Sequence, residues 1–183
     1  ESNVSDFFRT HGMKFKQVTF GSMGEAQKAY DQGRCDVFVT DKFGLGARRL
    51  AMTNPNDHII LPETISNEPI SPMVPHGDQV WRDIVVWTLN SLITAEEYGI
   101  TSKNIDKMRS SSTNPFIQRV LGKTGKFGGK IGLGKDWAYR AIKAVGNYGE
   151  IWENHLGKHG LGMPRGKNML YTKGGLLIAP PFR

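Results

Sequence analysis

The chain has 183 residues and a mass of 20.4 kDa, enough for one domain or two small ones with a true apolar core. Hydrophobic residues make up 38% and charged residues 22%, the balance of a globular chain rather than a disordered one, and no apolar run approaches the roughly 18 residues of a membrane helix. A single Cys excludes an internal disulfide framework and a cysteine-based zinc site, and the absence of a starting Met or a charged-then-apolar leader leads us to expect a targeting segment removed or not included.

The net charge of +7 is unevenly spread. Residues 1–102 carry nine Lys and Arg against thirteen Asp and Glu, a net of −4, whereas residues 103–183 carry fifteen against four, a net of +11. Such asymmetry fits either a nucleic-acid or other polyanion partner, or a solvated basic face beside a more acidic segment. No nucleic-acid-binding motif accompanies the charge, so no nucleic-acid partner is expected.

In chain order, residues 5–10 close a helix, with His11-Gly12 as its stop. Residues 15–20 alternate apolar and polar, the pattern of a half-buried strand. Ser22 with Glu25 has the capping-box spacing for a helix that runs to Gln32 and ends at Gly33. Residues 35–40 form a short β-branched and aromatic strand, residues 42–52 a second helix, and residues 58–61 a third strand. Strands alternating with helices predict an α/β fold with a mostly parallel sheet.

Pro62, Pro69, Pro72 and Pro75 then confine the chain to connector or edge geometry, with residues 70–74 as a strand candidate. Asp78 is placed to cap a helix over residues 78–94, whose apolar stripe is wide enough for good burial, and residues 102–110 predict another. Fourteen of the 22 glycines lie beyond residue 120, and residues 122–135 read as a Gly/Lys loop. Helical periodicity returns over residues 136–156, broken around Gly146 and Gly149, and residues 170–183 show no helix signal.

Catalytic patterns fail one by one. Gly122-Lys123-Thr124 has the tail of a phosphate loop, but Ile117 stands where the first glycine is needed. His155 and His159 have a metal-binding spacing, yet Leu156 occupies the position where a zinc hydrolase needs Glu, and Gly157 and Gly160 disfavour a helix. No Gly-x-Ser-x-Gly elbow occurs, and the adjacent Glu96 and Glu97 point to different faces. No enzyme, metal or cofactor is expected. Asp41 stands out at the carboxyl end of an expected parallel strand, the edge where open α/β sheets take ligands. It is equally well placed to cap the helix after it.

Four segments carry a family resemblance: residues 33–41 (GRCDVFVTD), 61–69 (LPETISNEP), 142–150 (IKAVGNYGE) and 172–181 (TKGGLLIAPP). Together they resemble the C-terminal part of the periplasmic amino-acid-binding proteins of ABC transporters, in particular the general L-amino-acid-binding branch. The resemblance implies an incomplete type II periplasmic binding fold: residues 1–67 as most of the second lobe without its first strand, residues 68–110 as the return through the hinge into helices of the first lobe, and residues 111–183 as a basic extension packed on that lobe. It implies a periplasmic, non-enzymatic solute-binding protein, made with a signal peptide, that traps a free L-amino acid between two lobes and delivers it to a membrane permease. Asp41, next to Thr40, then receives the ligand's α-ammonium group, and Ser66, Asn67 and Glu68 form the return hinge. The family's opposing Arg and its Gly/Thr-rich loop are not found here, so weak or no amino-acid binding is expected from residues 1–183 by themselves. The resemblance also implies a periplasmic disulfide between Cys35 and a cysteine outside these residues. The competing reading is a self-standing basic module that binds nucleic acid or another polyanion through residues 123–143 and 158–173.

Overall fold

The computed structural model describes residues 2–182 and divides into two units, Glu1–Ser71 and Pro72–Arg183.

The first unit is built on three helices, α1 (Ser2–Thr10), α2 (Met23–Asp31) and α3 (Lys42–Leu50). Ser22 caps α2 by accepting the Glu25 N–H on Oγ at 3.3 Å. The helix ends through Gly33, whose φ of +72° suits a residue without a Cβ. Polar ties hold α2 beside α3 and the turn after it: Arg48 Nη1 donates to Gln27 Oε1 at 2.8 Å, and Thr53 Oγ1 donates to Asp31 Oδ2 at 2.7 Å. Ala29 and Met52 are the buried apolar residues of the unit, and Tyr30 packs on Phe38 and His58.

Among the described residues the expected parallel sheet is not seen. Residues 15–20, 35–40, 58–61 and 70–74 lie outside any ladder, and among the described residues the one β-bridge is isolated, between Leu170 and Leu177. Their outward faces stay in solvent, with Val37 60% and Ile59 80% exposed. The reason is that period-two alternation specifies an extended, half-buried segment but does not name its neighbour. A strand exists only when another backbone takes its N–H and C=O groups.

The helices of the second unit are α4 (Gln79–Glu97), α5 (Ile105–Ser111), α6 (Pro115–Val120), α7 (Phe127–Lys130), α8 (Trp137–Val145) and α9 (Tyr148–His155), with 3₁₀ turns at Gly166–Asn168 and Tyr171–Lys173. Asp78 caps α4, accepting the Trp81 N–H at 2.9 Å. Helices α8 and α9 pack on α4, and its fully buried positions, Ser91 and Ile93 to Ala95, lie in its C-terminal half. The N-terminal half keeps Val80 and Trp81 exposed, so the broad apolar stripe is only partly covered. Ser91 tolerates burial because its hydroxyl donates to Thr88 O at 2.7 Å.

Two elements depart from the sequence reading. The Gly/Lys stretch contains α7, whose Phe127 packs edge-on against Trp87 and at a tilt against Phe182, at centroid distances of 4.6 and 5.1 Å. Gly128 is a packing residue: a Cβ there would lie 2.4 Å from Gly134 O. The terminal apolar stretch carries Phe182 into the same aromatic cluster, where it is 2% exposed. The break between α8 and α9 falls at Gly146, φ +84°, before a complete Asn147–Glu150 capping box.

Candidate functional site

Asp41 sits immediately before α3 with extended backbone, φ −60° and ψ 147°. Its Oδ2 accepts the Gly44 N–H at 2.6 Å and its Oδ1 accepts the Thr40 hydroxyl at 3.3 Å. Helix capping is therefore an actual role of this side chain. It does not exhaust the carboxylate, which offers about four lone-pair directions and is exposed to solvent. Gly44 makes room for the cap, since a Cβ there would stand 3.0 Å from Asp41 Oδ1. The carboxylate is thus aimed by the backbone N–H of Gly44 and the Thr40 hydroxyl.

The next residue fixes the neighbouring chain. Lys42 Nζ donates to Pro62 O at 2.8 Å, which brings the segment leading to Ser66, Asn67 and Glu68 beside the start of α3. That segment has no regular secondary structure. Ser66 is half-buried and Asn67 exposed, while Glu68 accepts a hydrogen bond from Asn3 Nδ2 and so ties the end of the unit to α1. Cys35 is a half-buried free thiol. Among the described residues no group of three or more His, Cys, Asp or Glu is arranged to hold a metal ion. The structure thus gathers Thr40 and Asp41 at one helix start, with the connector beyond residue 61 fastened to the next residue.

The second unit contains features that local patterns did not reveal. Arg165 Nη1 and Nη2 donate to Glu96 Oε1 and Oε2 at 2.9 and 3.0 Å, a bidentate pair with side chains only 14% and 10% exposed. The guanidinium also donates to Asn168 O and lies over the rings of Tyr148 and Trp152 at 5.3 and 5.7 Å. Glu150 accepts from Ser102 Oγ at 2.7 Å, Ser102 N at 3.0 Å and Asn147 N at 2.9 Å. Burial pushes its carboxyl up, but these donors outweigh that and leave it below the usual glutamate value. Tyr139 and Lys143 hydrogen bonds likewise hold Asp106 low.

No family model matches the chain. It is 50% identical over 186 residues to the general L-amino acid-binding periplasmic protein AapJ of Rhizobium johnstonii. It is 46% identical over 184 residues to the glutamate/glutamine/aspartate/asparagine-binding protein BztA of Rhodobacter capsulatus, and 44% identical to the putative amino-acid ABC transporter-binding protein YhdW of Escherichia coli. Each alignment covers 100% of this chain and 54% of the relative, so the chain spans about half the length of the curated relatives it matches. A solved ABC transporter periplasmic binding protein from Brucella ovis, with glutathione bound, superimposes with a TM-score of 0.92 at 48% identity, over 100% of this chain and 57% of that one. These relatives are solute-binding proteins of ABC transporters and not enzymes. Along its whole length, the chain is related to the periplasmic amino-acid-binding proteins of ABC transporters.

Proposed function

We propose that the protein acts in the periplasm as the solute-binding component of an ABC amino-acid uptake system, trapping an L-amino acid between two lobes and delivering it to a membrane permease. The observation that carries this reading is identity of 44–50% with amino-acid-binding relatives sustained over the entire chain. Asp41 receives the ligand's α-ammonium group through the lone pairs that the helix cap leaves open, and Thr40 orients the carboxylate. Ser66, Asn67 and Glu68 act as the hinge. In this reading, the extended segments 15–20, 35–40 and 58–61 find their strand partners in the length of the relatives that these residues do not span, completing a type II binding fold. Residues 1–183 by themselves then bind free amino acids weakly or not at all.

Glutathione is a second ligand reading, favoured by the 48%-identical Brucella ovis structure that holds it. Its γ-glutamyl residue presents the same free α-ammonium and α-carboxylate groups, so one Asp41 site can serve either class.

The test is calorimetric titration of the protein at the full length of its relatives with the twenty amino acids and with glutathione, before and after Asp41→Asn. Asn caps helices about as well as Asp, so α3 is kept while the charge is lost. A charge-assisted hydrogen bond contributes about 1.5–3 kcal/mol, and the substitution is expected to weaken binding by roughly 10- to 150-fold. Unchanged affinity in Asp41→Asn would remove Asp41 from the site, and binding of neither ligand class would overturn the function.

A further inference from the structure

The second unit carries a shallow cleft, widely open to solvent and remote in sequence from Asp41, lined by Asp106, Arg109, Ser110, Gly122, Lys123 and Lys135. Its walls come from α5, the turn after α6 and the turn before α8. Three of the six lining residues are cationic, and Lys143 on α8 reaches the rim through Asp106.

The charges are held in place. Tyr139 Oη donates to Asp106 Oδ1 at 2.6 Å, and Lys143 Nζ donates to both Asp106 oxygens at 3.0 Å. The Arg109 guanidinium lies over the Tyr139 ring, 4.2 Å from its centre, a cation–π contact that holds it at the cleft. Lys123 Nζ donates to Ser110 O at 3.1 Å, which bends its stem across the cleft. Lys135 is exposed and has no ion-pair partner among the described residues. Gly122 allows the two turns to close up, because a Cβ there would lie 2.1 Å from Lys135 O. The cleft and its rim therefore present four cations against one carboxylate that is already satisfied.

We infer that this cleft is a docking site for an acidic protein surface, taking a partner's Asp or Glu side chain between Arg109, Lys123 and Lys135. A planar guanidinium matches a carboxylate in bidentate fashion. Asp106 is engaged by Tyr139 and Lys143, so Arg109, Lys123 and Lys135 are the charges left to meet a partner's carboxylates. The exposed apolar side chains of this unit, Trp81, Tyr171 and Leu176 among them, do not line the cleft, so no wedge for a lipid surface accompanies the charge. Acidic docking here is independent of ligand capture at Asp41, and its test uses no amino-acid ligand of that site.

The experiment is an NMR titration of the ¹⁵N-labelled 183-residue chain with a hexaglutamate peptide at low salt, in parallel with phosphatidylglycerol vesicles. Shifts are expected at the amides of residues 106–110, 122–124 and 133–136, with affinity falling as salt rises. The triple variant Arg109→Gln, Lys123→Gln, Lys135→Gln should weaken hexaglutamate binding by about tenfold. A triple variant of equal charge loss outside the lining, Lys158→Gln, Lys167→Gln, Lys173→Gln, should change it less than about twofold. Equal losses in both triples, or shifts spread evenly over all basic segments, would overturn the proposal. So would vesicle binding through the cleft without hexaglutamate binding.

Discussion

Removing one member of the Arg165–Glu96 pair should cost far more than removing an exposed ion pair of the same unit. The two side chains are 14% and 10% exposed and share two hydrogen bonds of 2.9 and 3.0 Å. Arg165→Met leaves the Glu96 carboxylate in a largely dry site without its donors, a situation that costs about 3–5 kcal/mol. Asn168 O, which accepts from Arg165 Nη2 at 2.7 Å and Nε at 3.2 Å, loses its partner as well, worth about 1 kcal/mol. For a unit running from Pro72 to Arg183, the combined cost of about 4–6 kcal/mol at roughly 4 °C of melting temperature per kcal/mol gives a fall of about 16–24 °C. The double variant Glu96→Leu, Arg165→Met removes both charges and should recover most of this, leaving only the Asn168 cost of about 1 kcal/mol. Denaturant titration of the wild type, both single variants and the double variant closes the cycle, with an expected coupling of at least about 2 kcal/mol. The loss should also persist at high salt, since a buried pair is poorly screened. Additive effects, or a single-variant cost below about 1 kcal/mol, would refute the claim that this bridge fastens the Gly166–Asn168 turn to α4.

Three further outcomes are expected in the same unit. Glu150 has its carboxyl lowered by Ser102 and Asn147 donors, so its stabilisation is complete above the ordinary value of 4.5 and is lost as pH falls below it; acid titrations of stability should show wild type and Glu150→Gln converging as pH drops, and a pH-independent gap would contradict this. Phe182 is 2% exposed among Trp87, Phe116, Phe127 and Trp137; Phe182→Ala should cost about 3–5 kcal/mol by urea unfolding, and a loss under about 1 kcal/mol would show that the terminal segment is not part of the core. Gly122→Ala places a Cβ 2.1 Å from Lys135 O at φ +69° and should destabilise by more than about 1 kcal/mol in thermal melts; an unchanged melting temperature would mean that the two turns separate freely.

Rules that act within one turn of helix were legible in the residues alone. Ser22, Asp41 and Asp78 each cap the helix they precede, accepting the backbone N–H three residues on. Gly33 and Gly146 stop helices where a positive φ is needed, and the interruption between α8 and α9 falls in the span marked by Gly146 and Gly149. Asp41 was also recognisable as a residue with two possible roles, and the structure shows the capping role at Gly44 while leaving the carboxylate exposed.

Contacts that depend on a distant partner could not be announced by the residues themselves. The alternating segment 15–20 and the β-branched, aromatic segment 35–40 fit strands, yet whether they pair is decided by a neighbour that their own pattern does not name. Residues 122–135 read as a loop because glycine lowers local helix propensity, whereas Phe127 draws a turn of helix onto the rings of Trp87 and Phe182. Glu96 and Arg165 are 69 positions apart, and Tyr139 meets Asp106 across 33. Capping and helix termination are local, so the sequence by itself determined them; strand pairing, the buried ion pair and the cationic cleft arise only when burial removes water and brings remote side chains within reach, so tertiary structure alone decided those.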